Sequence, residues 1–308
     1  MDGLSLAERY FHAYGLPMIR EHFPLHADRM ACGLVGDGSE CFGFDDEISR
    51  DHDWGPGFCI WLSPGDHSDI ACDLKQRYDR LCGTFAGFGP RKQSRWGEDR
   101  VGVFEIGAFY YRYIGCSSVP GNDEEWMRIP EWALAAATNG RVFHDPLGEF
   151  SLIRKRLLHF YPDDVRLKKI AARCMSIAQS GQYNLPRCLR RGDLFAARYA
   201  EIKFCADVIS LIFLLNRRYT PFFKWMNRGL ERLPRLGSEI RERIDSLMQK
   251  PENGLRMEMV EEICSLIIKE FREEGLTDSS STFLLDHGPI IHARIRNRVL
   301  RQGNVWIG

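Results

Sequence analysis

The feature that most constrains this chain is a Gly-Ser pair, Gly38-Ser39, separated by eleven residues from an acidic pair, Asp51 and Asp53. The Gly-Ser pair is predicted to open a short helix, whose first backbone N–H groups have no partner inside the helix and can bind a phosphate. The acidic pair is predicted to lie on a strand, where side chains alternate between faces, so that both carboxylates point the same way. The pattern therefore predicts a phosphate-binding turn next to two carboxylates.

Two carboxylates side by side repel each other unless a cation lies between them, and oxygen ligands suit Mg²⁺ (or Mn²⁺). We therefore expect Asp51 and Asp53 to bind one or two divalent ions. A phosphate-binding turn beside divalent ions is suited to the transfer of a phosphoryl or nucleotidyl group. For the acidic pair taken alone, a solvent-facing strand end is the alternative interpretation.

The segment that carries these residues resembles the signature of the DNA polymerase β-like nucleotidyltransferase superfamily. That signature is a hydrophobic strand, a Gly-Ser pair, a short spacer and an acidic pair. Within the superfamily, the chain is similar to a poorly characterised bacterial family known only as a domain of unknown function. That family shares the Gly-Ser-Glu, Asp-Asp-Glu-Ile-Ser and Asp-His-Asp-Trp-Gly runs, and a helical segment like the one from Tyr183 to Trp225. The resemblance covers residues 33–234 and so reaches both halves of the chain.

Two positions depart from the superfamily pattern. Asp37 stands where an apolar residue is usual, and Gly55-Pro56-Gly57 interrupts the chain directly after the acidic pair. Proline has no N–H to donate, so strand pairing must break or bulge there. We therefore expect a short active-site strand that resumes at residues 58–62.

Two-metal nucleotidyl transfer in the superfamily implies a third carboxylate on a later strand, which holds the ion that activates the acceptor. Glu105 is the candidate, because it interrupts an otherwise apolar strand and a buried carboxylate without a partner is costly. Glu98 and Asp99, in the preceding turn, are rivals, and an ordinary edge-strand glutamate is the alternative. Asp45 and Asp46 stay open between a supporting role at the metal site and a polar turn.

Arg191, Arg217 and Lys224 are the candidates for nucleotide binding in the second half of the chain. Arg217 and Lys224 lie at a junction of two apolar helices, where charges often face a cleft and could neutralise a triphosphate. The resemblance also implies such contacts from a helical domain. Structural ion pairs, with Asp193 or Glu231 for example, are the alternative.

The first half of the chain alternates between strand and helix patterns, and the second half is helical. Strands are predicted at 29–35, 51–53 with 58–62, and 101–106, and early helices at 4–21 and 68–82. Later helices are predicted at 151–159, 163–180, 193–216, 222–233, 238–249 and 255–274, with Gly181 and Gly275 as helix stops. The predicted fold class is α/β, with a nucleotidyltransferase-type mixed β-sheet domain at 1–147 and an all-α helical bundle domain at 148–308.

The composition restricts the partners and the compartment. Lys plus Arg and Asp plus Glu both number 42, so the formal net charge is zero and a general nucleic-acid-binding surface is not favoured. No apolar run approaches the ~20 residues of a membrane span, and no secretion signal is visible. The ten cysteines lack zinc-type spacing and are expected to be buried thiols in a reducing cytoplasm.

Together these patterns predict a cytoplasmic, metal-dependent nucleotidyltransferase. It would move an NMP from an NTP to a hydroxyl or phosphate of a small-molecule acceptor and release pyrophosphate. Gly38 and Ser39 would hold the phosphates, Asp51 and Asp53 would bind Mg²⁺ (or Mn²⁺), and Glu105 would complete the acceptor side. The alternative is a catalytically inactive nucleotide-binding or interaction module, such as a regulator or an antitoxin-like partner, on the same fold.

Overall fold

The structure is a computed structural model that describes residues 1–92, 94, 100–249 and 252–308. The described residues form two compact units. The sheet unit comprises Met1–Pro120 and Trp132–His159, and the helical unit comprises Gly121–Glu131 and Phe160–Gly308. The division expected from the sequence, after residue 147, assigned residues 148–159 to the helical half, whereas their contacts place them in the sheet unit.

The described part of the sheet unit contains one four-stranded mixed sheet. Its strands are β1 (Ala31–Leu34), β2 (Cys59–Leu62), β3 (Gly102–Glu105) and β4 (Arg141–His144), in the order β3-β2-β1-β4. β1 pairs antiparallel with β2 and β4, and β2 pairs parallel with β3. The mixed α/β class is therefore confirmed. β4 was not predicted, because its four residues include a single apolar pair and show no alternation.

Helices account for most of the remaining described chain, and none of those described is long and apolar enough to cross a membrane. In chain order they are α1 (Gly3–Tyr10), α2 (Leu16–His22), α3 (Pro64–Asp79), α4 (Ile106–Ile114), α5 (Asp123–Arg128), α6 (Glu131–Thr138), α7 (Glu149–Leu158), α8 (Asp163–Ile177), α9 (Leu185–Arg191), α10 (Leu194–Leu215), α11 (Phe223–Gly229), α12 (Gly237–Gln249), α13 (Asn253–Glu273), α14 (His287–Ala293) and α15 (Arg298–Gln302). Short 3₁₀ segments lie at Ala27–Arg29, Ile48–Arg50, Leu230–Arg232 and Leu284–Asp286, and π-helical segments at Phe11–Gly15 and Ala178–Asn184.

The acidic pair does not lie on a strand. Asp51 has helical dihedral angles (φ −68°, ψ −35°), Asp53 is left-handed (φ 52°), and β2 begins at Cys59. The predicted strand at 51–53 is therefore wrong, and the two carboxylates do not share a strand face. Gly55, with a φ of 138°, and Pro56, which has no N–H, keep this segment out of the sheet.

Turns replace the short helix that was predicted to start at Ser39. Residues 36–43 are bends and turns, in which Phe44 N donates to Ser39 O at 2.8 Å. Gly36, Gly38 and Gly43 have φ values of 127°, 147° and 64°, which no right-handed helix can contain. Any phosphate bound here would therefore meet the N–H groups of a turn instead of a helix N-terminus.

β2 is buried on both faces and organises the core of the sheet unit. Ile60 and Leu62 belong to an apolar cluster with the N-terminal helices. Trp61 points to the opposite face, because side chains alternate along a strand, and its ring stacks on Phe150 of α7 at 3.8 Å. This stacking explains why residues 148–159 belong to the sheet unit.

The predicted stop at Gly181 is also wrong, because α8 continues through the π-helical segment to Asn184. A Cβ at Gly181 would lie 2.2 Å from the Phe204 ring of α10, so the glycine allows two helices to approach closely. The predicted stop at Gly275 is confirmed: it follows α13 with a left-handed φ of 68°.

Gly140→Ala is expected to destabilise the sheet unit by far more than Gly148→Ala. Both glycines are left-handed (φ 65° and 73°), so both alanines incur a backbone strain of about 1–2 kcal/mol. At Gly140 the new Cβ would in addition lie 1.9 Å from the Leu34 carbonyl oxygen at the end of β1, whereas at Gly148 it meets no atom within 4 Å. Urea unfolding of both variants measures the difference, and equal losses would contradict the β1–β4 pairing.

Candidate functional site

The Gly-Ser loop follows β1 directly, and two side chains fix its start. Asn139 Oδ1 accepts from Gly36 N at 2.9 Å, and Asn139 Nδ2 donates to Gly36 O at 2.8 Å. The Tyr113 hydroxyl accepts from Asp37 N at 3.2 Å. The backbone of the loop is therefore held by side chains from α4 and from the turn before β4, neither of which the sequence had indicated.

Close packing requires the glycines of this loop. A Cβ at Gly36 would lie 2.4 Å from the Tyr113 hydroxyl oxygen, and one at Gly38 would lie 2.6 Å from Glu40 Oε2.

The Gly-Ser loop also contains hydrogen-bond donors without a protein partner. The N–H groups of Gly38 and Ser39 and the Ser39 hydroxyl donate no hydrogen bond to any residue that the structure describes. These three donors are therefore available to an anionic ligand.

A buried ion pair joins the Gly-Ser loop to the segment of the acidic pair. Arg91 Nη2 lies 3.1 Å from Glu40 Oε1, and the two side chains are 7% and 3% exposed. Arg91 Nη1 also donates to Asp53 O at 2.6 Å, and Arg91 Nη2 to Gly55 O at 3.3 Å. Asp53 N in turn donates to Lys92 O at 2.7 Å. One guanidinium thus connects the two parts of the sequence signature.

The Asp53 side chain points into the protein. It is 2% exposed, and its carboxylate accepts from Ser94 N at 2.8 Å and from Ser94 Oγ at 2.5 Å, with Arg100 Nη2 at 3.7 Å. Burial raises the pKa of Asp53, but the hydrogen bonds from Ser94 and the charges of Arg100 and His52 outweigh it, so the pKa is lowered from its usual value. Asp53 is therefore a carboxylate stabilised in its charged form.

The carboxylates of Asp45, Asp46 and Asp51, which lie near Asp53 in the sequence, differ in their hydrogen-bond partners and exposure. Asp51 is 64% exposed and contacts His52 Nδ1 at 2.7 Å. Asp45 Oδ2 accepts from Gly3 N and Trp54 Nε1, and Asp46 Oδ1 accepts from Ser49 N and Oγ. Asp45 and Asp46 therefore organise a polar turn, whereas Asp51 is open to solvent.

Glu105 ends β3 and caps α4. Its carboxylate accepts from Gly107 N at 2.7 Å and from Ala108 N at 2.6 Å, which satisfies two N–H groups of the first helical turn. Among the described residues, which include Asp51, Asp53 and Glu105, no three His, Cys, Asp or Glu side chains form a group that could hold a metal ion. The expected cluster of three carboxylates is therefore not formed. The rivals Glu98 and Asp99 lie outside the described residues.

The predicted nucleotide-binding basic residues all lie in the helical unit. Arg217, which is left-handed (φ 50°), pairs with Asp163 at 3.1 Å, and Lys224 Nζ lies 4.9 Å from the centre of the Trp225 ring. Arg191 ends α9 and is exposed. Arg217 therefore does form a structural ion pair, but not with the two example partners: Asp193 caps α10, and Glu231 pairs with Arg241. Nucleotide contacts by these three residues stay a prediction.

A group of buried and half-buried polar side chains in the helical unit was not predicted. We call it the α8 polar cluster; it consists of Glu131, Tyr161, Lys169, Arg173, Ser210 and Thr220. Glu131 Oε2 accepts from the Ser210 and Thr220 hydroxyls at 2.8 and 2.6 Å, and Glu131 Oε1 accepts from Arg173 at 3.1 Å. The available signal was the spacing of Arg166, Lys169 and Arg173, which places three charges on one helix face.

Residues 126–226 match the sequence profile of the family described as "Domain of unknown function (DUF4037)". This segment contains the whole α8 polar cluster and none of the segment from Gly38 to Asp53. No curated protein and no solved structure matches the chain.

Arg91→Met is expected to lower the free energy of unfolding by about 3–5 kcal/mol, because it leaves Glu40 buried without its partner. The matched control is Lys75→Met, which removes the cation of the exposed Lys75–Asp79 pair and should cost less than about 1 kcal/mol. The double variant Arg91→Met/Glu40→Gln should recover part of the loss. Urea unfolding gives all three values, and equal costs at Arg91 and Lys75 would refute the role of the buried pair.

Asp53→Asn should reduce stability near neutral pH and have a smaller effect in acid. Because the pKa of Asp53 is lowered in the folded state, its stabilisation is complete above the unfolded pKa of about 3.9 and is lost as the pH falls through the folded pKa. Unfolding measured from pH 7 downward should show the wild-type and variant curves converging in acid. Asp79→Asn, an exposed control, should show a smaller difference at neutral pH. If the stability difference between the wild type and Asp53→Asn did not narrow in acid, the lowered pKa of Asp53 would be contradicted.

Proposed function

We propose that the chain is a nucleotidyltransferase that moves an NMP from an NTP to a hydroxyl or phosphate of a small-molecule acceptor. The observation that supports this most is the Arg91 side chain, which bonds both the Glu40 carboxylate and the Asp53 backbone. The two parts of the nucleotidyltransferase-like signature are thereby held against each other in the sheet unit. Proximity of a phosphate-binding turn and carboxylates is what this reaction class requires.

In this proposal, the free donors of Gly38 and Ser39 bind the phosphates of the NTP. The acceptor oxygen attacks the α-phosphorus, a new P–O bond forms, and the bond to the leaving pyrophosphate breaks. The NTP would enter as its Mg²⁺ (or Mn²⁺) complex, which neutralises charge on the phosphates. Asp51 is the carboxylate open to that complex. The three carboxylates expected to bind the metal ion do not converge among the described residues.

A second function, nucleotide binding without transfer, is favoured by a specific observation. The carboxylates of Asp53 and Glu105 are both occupied by hydrogen bonds within the protein. The loop donors of Gly38 and Ser39 are nevertheless free of protein partners in the described chain. Such a site would bind a nucleotide in a regulator or an interaction module on the same fold.

Pyrophosphate release separates the two functions. Each of the four NTPs, with Mg²⁺ or Mn²⁺ and a metabolite pool as acceptor, should be tested for release and for an increase in the unfolding midpoint Tm. One NTP is expected to give both responses. Ser39→Ala should chiefly raise KM, because its hydroxyl contacts phosphate in the ground state as well as in the transition state.

Asp51→Asn is the decisive variant, because the exposed side chain can be changed with little effect on the fold. Transfer is expected to be abolished while the Tm without ligand is kept, and the exposed control Asp79→Asn should retain full activity. An NTP-dependent Tm increase without pyrophosphate release would support the second function. If no NTP gave either pyrophosphate release or a Tm increase, both proposed functions would be refuted.

A further inference from the structure

Three basic residues lie on one face of α8 inside the helical unit. Arg166, Lys169 and Arg173 are spaced i, i+3 and i+7, which aligns them along the helix. Arg166 and Lys169 are 3% and 4% exposed. Buried charges are costly unless each is paired and hydrogen-bonded, so each cation of this row needs a partner.

Carboxylates partner two of the three cations. Arg166 Nη2 lies 2.6 Å from Glu274 Oε1, and Arg166 Nε donates to Leu214 O at 2.9 Å. Arg173 Nη2 lies 3.1 Å from Glu131 Oε1. The other oxygen of Glu131 already accepts from two hydroxyls of the α8 polar cluster. Each arginine therefore has its own carboxylate, whereas Lys169 forms no ion pair with Glu131.

Lys169 and Tyr161 are the members without a hydrogen-bond partner. The Lys169 ammonium lies 5.1 Å from the centre of the Tyr161 ring and forms no hydrogen bond or ion pair with any described residue. The Tyr161 hydroxyl, on a side chain 2% exposed, has no hydrogen-bond partner. The cluster therefore contains one fully buried hydroxyl without an acceptor, beside a mostly buried ammonium that makes no hydrogen bond.

The electrostatics of the cluster favour an anion. Burial lowers the pKa of Lys169, and Glu131 opposes this shift while Arg173 adds to it. Burial raises the pKa of Tyr161 well above its usual value, so the hydroxyl stays protonated and can donate. When Lys169 is protonated, Lys169 and Arg173 against Glu131 give the cluster one more positive than negative charge, and a bound anion would favour that protonated form.

We propose that the α8 polar cluster binds the phosphate group of a small-molecule ligand, with the Lys169 ammonium and the Tyr161 hydroxyl as its donors. A metal cation is not the preferred ligand, because two hydrogen-bond donors and an excess positive charge would repel it. A phosphate offers several acceptor oxygens to an ammonium and a hydroxyl, and lysine is a common phosphate-binding residue. This site lies within the helical unit, and the proposal does not rest on the proposed nucleotidyl transfer.

Thermal unfolding of the full chain with inorganic phosphate, at constant ionic strength set by chloride, tests the proposal. Phosphate is expected to raise the Tm of the wild-type protein. Lys169→Met, which has a similar volume and no charge, should show a smaller increase, because the contribution of the α8 polar cluster is lost. Its own Tm without phosphate should equal or exceed that of the wild type, because a buried charge without a partner has been removed. A purely structural role of Lys169 predicts the opposite, a lower Tm without phosphate.

Tyr161→Phe is the second variant, since it removes one oxygen atom and keeps the packing of the ring. Calorimetric titration with phosphate should show a Kd raised by about tenfold, which corresponds to about 1.4 kcal/mol. Lys269→Met, at an exposed pair with Glu273, should keep the wild-type response to phosphate. The site is refuted by an unchanged wild-type Tm, by an equal response in Lys169→Met, or by an equal effect of acetate.

Discussion

The buried ion pair between Glu40 and Arg91 is the interaction on which the candidate site of the sheet unit depends. Residues 36–58 contain no strand, so sheet hydrogen bonds do not fix their path. Arg91 supplies the missing connections by bonding Glu40 and the carbonyl groups of Asp53 and Gly55. Because the pair is shielded from water, removing one partner leaves an uncompensated charge. The Gly-Ser loop and the acidic segment therefore keep or lose their arrangement together.

The carboxylates of this unit show why a sequence motif alone does not assign a role. Asp53 and Glu105 both fit a metal-ligand pattern, yet each is stabilised by N–H or O–H donors of the protein. Such donors compensate the burial of a carboxylate as a cation would, so the same residue type satisfies either arrangement. Asp51, which is exposed, has no such commitment beyond His52. The proposed transfer therefore depends on Asp51 and on the free donors of the loop.

In the helical unit, by contrast, a candidate binding site lies outside the nucleotidyltransferase-like signature. Its α8 polar cluster was not apparent as a motif, because an i, i+3, i+7 row of basic residues is also the pattern of a solvated helix face. The burial of Lys169 shows that this row is not a solvated helix face. Lys169 lies beside Tyr161, whose hydroxyl has no acceptor. The match to a family of unknown function covers this cluster. The phosphate site and the nucleotidyl transfer rest on separate residues and can fail separately.

Local sequence patterns predicted the α/β class, β1, β3, the part of β2 at residues 58–62 and most helices of the second half to within a few residues. These features depend on neighbours within about one helical turn or along one strand, so local periodicity contains them. The path of residues 36–58, the pairing of β4 and the burial of Asp53 were decided by tertiary structure. Glu40 meets Arg91 across 51 residues and Asp53 meets Ser94 across 41, and no local pattern specifies such partners. The sequence specifies that a side chain is a carboxylate or an ammonium. The fold specifies its partner, and the partner decides what the group can do chemically.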